Sequence, residues 1–195
     1  SLLKALRLST DGGVLWMNGD VVFDPQVLEK VSDLMEADTS FICVDTAVVG
    51  DEEVKYTVDD DGYVDELSKQ VVNARGEAVG VNFVSASDKP TLIDRLSECS
   101  DADYFERGIE LAISHDSMRV IPVDIGEFFA VEVDFEEDLT RVLQGQAPVI
   151  AQRRLAGKIG RVGLQHSADA RGVEDDVFGI EAVSYTHLTL PTSPK

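Results

Sequence analysis

Cysteine is scarce in this chain. Its 195 residues include only Cys43 and Cys99, too few for a disulfide framework or a cysteine-based zinc site. Positive charge is scarce as well: 17 Lys and Arg face 37 Asp and Glu, a formal net charge of −20. A field that negative repels phosphate backbones, which excludes a nucleic-acid partner. No apolar run approaches the ~20 residues of a membrane-spanning helix, and the amphipathic start Ser1 to Leu8 lacks a signal-peptide cleavage site. No membrane partner is therefore expected. His115 and His166 have no Cys or His at ligand spacing, and neither a P-loop nor a G-x-S-x-G elbow is present. A reducing, cytoplasmic setting is expected. What remains is 44% apolar and 28% charged, a composition that suits one globular domain or most of one.

Charge is unevenly placed. Residues 1–144 hold 11 basic and 32 acidic side chains, whereas residues 145–195 hold 6 and 5. The change falls in Gln144-Gly145-Gln146-Ala147-Pro148, so residues 1–144 are read as one domain portion and 145–182 as a linker or the start of an unassigned region. Residues 183–195 are set outside the fold. Their run Val183-Ser184-Tyr185-Thr186-His187-Leu188-Thr189-Leu190-Pro191-Thr192 resembles the translation of a transposase adapter used in DNA library preparation. With no initiator Met and a helix already under way at Leu2, the chain is expected to be an internal fragment of a longer protein.

Within 1–144 the segments alternate as strand and helix. Val14-Leu15-Trp16-Met17-Asn18 is an apolar run of the kind buried on both faces of a sheet, and Trp16 is expected to pack there. Asp24-Pro25 marks a helix start, followed by Val27, Leu28, Val31, Leu34 and Met35 on one helical face. Phe41 to Asp45, with Cys43 as a small core residue, is the next strand. Val54 to Val58 and Tyr63 to Leu67 flank Asp59-Asp60-Asp61-Gly62, a hairpin turn with glycine where φ must be positive; the spacing of an EF-hand loop is absent. Ala78 to Val84 is a strand, and helices follow from Ser87 and from Asp103. Strands Arg119–Val123 and Phe128–Val133 lead into a last helix, Asp134 to Leu143. The expected fold is α/β: a mostly parallel, doubly wound sheet with a β-hairpin insertion, incomplete at its N-terminus.

Two acids follow apolar strands and precede helices: Asp20 in Asn18-Gly19-Asp20, and Asp134 in Glu132-Val133-Asp134. Ligand sites in open α/β sheets lie beyond the carboxyl ends of strands, so the two can converge on one crevice. Carboxylates placed there suit Mg²⁺, a hard cation that prefers oxygen ligands and phosphate, although acids at strand ends are also common helix caps. Gly19 allows a ligand close to the backbone.

The segment Val14 to Asp24 resembles the NGD-V-x-F stretch of the GT-A-like NTP transferases, a family that includes sugar-phosphate nucleotidyltransferases and phosphocholine cytidylyltransferases. Gly76-Glu77-Ala78-Val79-Gly80-Val81 is similar to the GE-x-x-G segment of the cytidylyltransferase branch. Glu132-Val133-Asp134-Phe135-Glu136-Glu137-Asp138-Leu139 resembles the closing E-I-D-T-x-x-D-L motif, and the three occur in the family's order.

The resemblance implies a GT-A/Rossmann-like domain and transfer of a nucleotidyl group, CMP from CTP, to a small phosphorylated alcohol such as phosphocholine, with release of pyrophosphate. A hexose 1-phosphate is the alternative acceptor. A non-catalytic binding or regulatory domain on the same fold is the alternative of another class, since fold alone does not decide function. Asp20 and Asp134 would hold Mg²⁺ and act as the catalytic acids, and Lys69 would contact phosphate. Gly19, Glu77, Tyr104 and Glu106 would line the substrate pocket. Ala130 and Phe135 depart from the family's pattern, which weakens choline as the acceptor. Nothing matches the family's opening G-x-G-x-R loop and its P-K pair, so the fragment alone is expected to be inactive and poorly soluble.

Overall fold

Alternation along β1 (Val14–Asn18) sends Val14 and Trp16 to one face of the sheet and Leu15 to the other, and all three are buried. A strand buried on both faces needs a helical layer on each side, and the chain supplies both. The computed structural model describes residues 2–46, 49, 53–133, 136–142 and 183–185. On one face lie α1 (Leu2–Leu8), α3 (Lys89–Glu98) and α4 (Phe105–Asp116); they bury Leu2, Leu6, Leu92, Leu96, Ile109 and Ala112 against Val14 and Trp16. On the other face α2 (Gln26–Glu36) packs Val27 and Val31 against Leu15, with Phe41 and Cys43 from β3 (Phe41–Asp45). Asp24 starts α2 as its sequence implies, its carboxylate accepting the Gln26 N–H at 2.9 Å.

The main sheet has seven strands. At its centre runs β6 (Gly76–Val84), which pairs antiparallel with β1 and with β3. It also pairs antiparallel with β4 (Lys55–Val58), the first arm of the expected hairpin; β5 (Val64–Ser68) is the second. In the turn between them Gly62 has φ +89°, and Asp59 accepts the N–H groups of Asp61 and Tyr63 at 3.0 and 2.9 Å. β7 (Ile121–Asp124) runs parallel to β3.

The sheet corrects one part of the sequence reading. β1, β3, β4 and β7 point one way, yet most ladders are antiparallel, because the reversed β6 lies between β3 on one side and β1 and β4 on the other. In addition, β9 (Val183–Tyr185) pairs parallel with β1 through Trp16↔Val183, Met17↔Ser184 and Asn18↔Tyr185. The edge of β1 opposite β6 offers unpaired N–H and C=O groups, and an extended segment satisfies them.

Apart from the main sheet, β2 (Val21–Phe23) and β8 (Ala130–Glu132) form a two-stranded antiparallel ladder. A six-residue helix, α5 (Glu136–Arg141), follows. No helix among the described residues is long and apolar enough to cross a membrane.

Candidate active site

Gly19 and Asp20 form the corner between β1 and β2. From there β2 runs back along β8 in the register Val21↔Glu132, Val22↔Val131 and Phe23↔Ala130. The ladder is extended by one bond, from the N–H of Val133 to the carbonyl of Asp20 at 2.9 Å. The residue before Asp134 is thus fixed against Asp20, although the two positions are more than a hundred residues apart in the chain. Asp134 itself lies outside the described residues. The Asp20 side chain is exposed, and no group of three or more His, Cys, Asp or Glu that could hold a metal occurs among the described residues.

A cavity of about 420 Å³ opens at this corner, lined by Asn18, Gly19 and Asp20 on one side and by Asp101 to Glu106 on the other. A second, of about 510 Å³, is lined by Lys69, Tyr104, Glu106 and Arg107, among others. Tyr104 and Glu106 line both. The structure therefore gathers Gly19, Asp20, Tyr104 and Glu106 around one opening and sets Lys69 beside it, its ammonium 5.1 Å from the centre of the Tyr104 ring. Glu77 lines neither cavity; it sits in β6 opposite Asp45 and Lys55.

The electrostatics of the two cavities differ. Among the described residues no basic side chain lines the one at Asp20, whereas Lys69 and Arg107 line its neighbour. The first thus offers only acids among its charged lining, whereas the second carries both signs, with Asp103, Glu106 and Glu110 beside its two cations. The two acids on the shared wall are themselves unlike. Burial pushes the Glu106 carboxyl up to about 7, an effect that the Lys69 charge partly offsets. Asp103 is held below the usual carboxylate range because the backbone N–H and the hydroxyl of Ser100 both donate to it. Their surroundings thus push the two carboxyls in opposite directions.

Asp101, Asp103 and Arg107 line these cavities and were missed as site residues. The only sequence signal for them was the polar run Ser100-Asp101-Ala102-Asp103 ahead of an amphipathic helix, which reads equally well as an ordinary cap. Phe105 is half-buried and meets Trp16 edge to face at 5.8 Å, so it joins the core to the cavity wall.

No family model matches the sequence, and no curated protein does. The fold matches solved structures. The inositol-1-phosphate CTP transferase from T. maritima superposes with a TM-score of 0.56 at 13% identity, over 83% of this chain and 61% of that one. A glucose-1-phosphate thymidylyltransferase from Bacillus anthracis gives 0.55 at 8% identity, over 77% and 59%. A UTP-bound UGPase from Acinetobacter baumannii gives 0.54 at 13%, over 83% and 60%. This chain shares their α/β fold and spans about three-fifths of their length.

Proposed function

We propose that the chain carries the metal-binding portion of a nucleotidyltransferase. In this reading an oxygen of the acceptor's phosphate attacks the α-phosphorus of a nucleoside triphosphate, CTP, and forms a new P–O bond. The bond from that phosphorus to the β-phosphate bridging oxygen breaks, and pyrophosphate leaves. Such chemistry depends on positioning and charge neutralisation more than on covalent participation by the protein.

One observation carries the proposal: the Val133 to Asp20 hydrogen bond, which brings the two acid-bearing strand ends together in a fold shared with nucleotidyltransferases. A pair of carboxylates would suit Mg²⁺, an ion commonly bound through one or two carboxylates, with water and substrate phosphates completing its shell. Asp20 and Asp134 would hold it, and when bound it would neutralise charge on the reacting phosphates. Lys69 would meet phosphate from the adjoining cavity, and Gly19, Tyr104 and Glu106 would face the acceptor. With Asp20, Asp101 and Asp103 on the wall and Tyr104 largely exposed, the cavity favours an acceptor with a cationic end, such as phosphocholine. Glu77 lies off this opening.

The neighbours named for glucose 1-phosphate and UDP-glucose chemistry support a second acceptor, a hexose 1-phosphate. Calorimetric titration with phosphocholine and with glucose 1-phosphate, each with Mg²⁺, separates the two. Saturable phosphocholine binding that is lost in Asp20→Asn supports the first, and glucose 1-phosphate binding alone supports the second. A folded protein that binds neither refutes the acceptor site and favours a non-catalytic domain. Pyrophosphate release from CTP by this chain alone is expected to be negligible, and robust turnover would overturn that expectation.

A further inference from the structure

Asn18 ends β1 with its side chain between two other strands. On one side is Gly80 of β6, whose φ of +75° suits glycine. A Cβ built on Gly80 would lie 2.6 Å from Asn18 Nδ2 and 2.8 Å from its Cγ, so the amide fills the space that any other residue's side chain would claim. On the other side Asn18 Nδ2 donates to Glu132 Oε1 of β8 across a long 3.4 Å. Glu132 is opposite Val21 in the β2·β8 ladder, next to Val133, whose N–H holds the Asp20 carbonyl. One side chain of β1 therefore touches both β6 and β8 beside the corner where Asp20 turns.

We propose that Asn18 is a positioning residue that ties the Gly19-Asp20 corner to β8, and that Gly80 is the seat that lets its amide reach across. The functional weight of this tie rests on the metal reading above, because what it aligns is the approach of Asp134 to Asp20. The tie itself is a statement about packing and stands apart from that reading. It also gives the Gly76 to Gly80 segment a physical reason: glycine at position 80 is required by a neighbour's side chain as well as by its own backbone angle.

The test is a reciprocal exchange of donor and acceptor in the full chain, read by amide hydrogen exchange at Val133. Asn18→Asp removes the donor and sets two carboxylates against each other, so Val133 should exchange roughly threefold to tenfold faster, the size of one net hydrogen bond. Adding Glu132→Gln to that variant restores a donor–acceptor pair with its polarity reversed, and protection at Val133 should return. Gly80→Ala should mimic Asn18→Asp; where it unfolds the chain, the exchanged pair still decides. Unchanged protection in Asn18→Asp, or no recovery in the double variant, overturns the proposal. A Mn²⁺ titration of the unmodified chain reports on the metal reading separately, so failure there leaves the exchange result intact.

Discussion

Lys69 sets its ammonium over the ring of Tyr104, 5.1 Å from the centroid, and this pair forms the border between the two cavities. Beside it Glu106 has a carboxyl pushed up to about 7, chiefly by burial.

The first prediction concerns that carboxyl. From its ordinary 4.5 up to about 7, the folded chain keeps the proton that the unfolded chain releases. Stability should therefore fall as pH rises through that window and level off above it. A shift of this size corresponds to roughly 3 kcal/mol, reduced by solvent at a half-buried site. Urea denaturation across the window should show the slope in the native chain and not in Glu106→Gln, which should be the more stable above pH 7. The same slope in both would assign it to other groups.

A second prediction concerns the far end of the sheet. Lys89 is buried, and its ammonium donates to Gly12 O at 2.7 Å, to Thr10 O and to Ser9 Oγ. It closes the turn that delivers the chain from α1 into β1. Lys89→Met keeps much of the stem and removes the charged donor from two part-buried hydrogen bonds to carbonyls, bonds of a kind worth about 1.5–3 kcal/mol each. A loss of roughly 2–4 kcal/mol in urea denaturation is expected. A change below about 0.5 kcal/mol would mean that water replaces the ammonium without penalty.

The elements were legible where one local pattern dominated. β1 announced itself as an apolar run, α2 by Asp24-Pro25 and a single buried face, and the hairpin by Asp59 to Gly62. The reversal of β6 was not legible, because strand direction is settled by pairing partners far apart in the chain: Asn82 has Trp16 on one side and Ile42 on the other. Asp20, Tyr104 and Glu106 could be named from sequence, but their shared opening depends on how α4 packs. The contrast between Glu106 and Asp103 was hidden for the same reason, since burial and the Ser100 hydrogen bonds are products of folding. The place of Glu77, in β6 and outside both cavities, was equally hidden, because it depends on how the strands pair.

A third prediction separates the cysteines. Cys43 is fully buried in β3, and burial pushes its thiol up to about 12. Cys99 is half-buried and donates to Arg95 O at 3.4 Å; burial raises it too. At neutral pH a thiol reagent should label the native chain slowly and at Cys99, with Cys43 reacting only after denaturation, because the thiolate is the nucleophile. Peptide mapping of the labelled protein checks the order. Rapid labelling of Cys43 would mean that β3 opens readily.

The fourth prediction puts the two aspartates to a direct test. If Asp20 and Asp134 share one divalent ion, Mn²⁺ read by electron paramagnetic resonance should bind the full chain at a single site. Asp20→Asn and Asp134→Asn should each weaken it by at least ~tenfold, about 1.4 kcal/mol. The double variant should lose little more than either single one, because two ligands of one ion act as a unit. Saturating metal should also raise the unfolding midpoint of the native chain, by an increment that both single variants forfeit. Asp101 and Asp103 serve as controls: they line the cavity without lying on the ladder between β2 and β8, so their Asn variants should weaken binding far less. Binding that survives Asp134→Asn but not Asp20→Asn would locate the ion among Asp20, Asp101 and Asp103 instead, and would separate the metal from the β8 strand end.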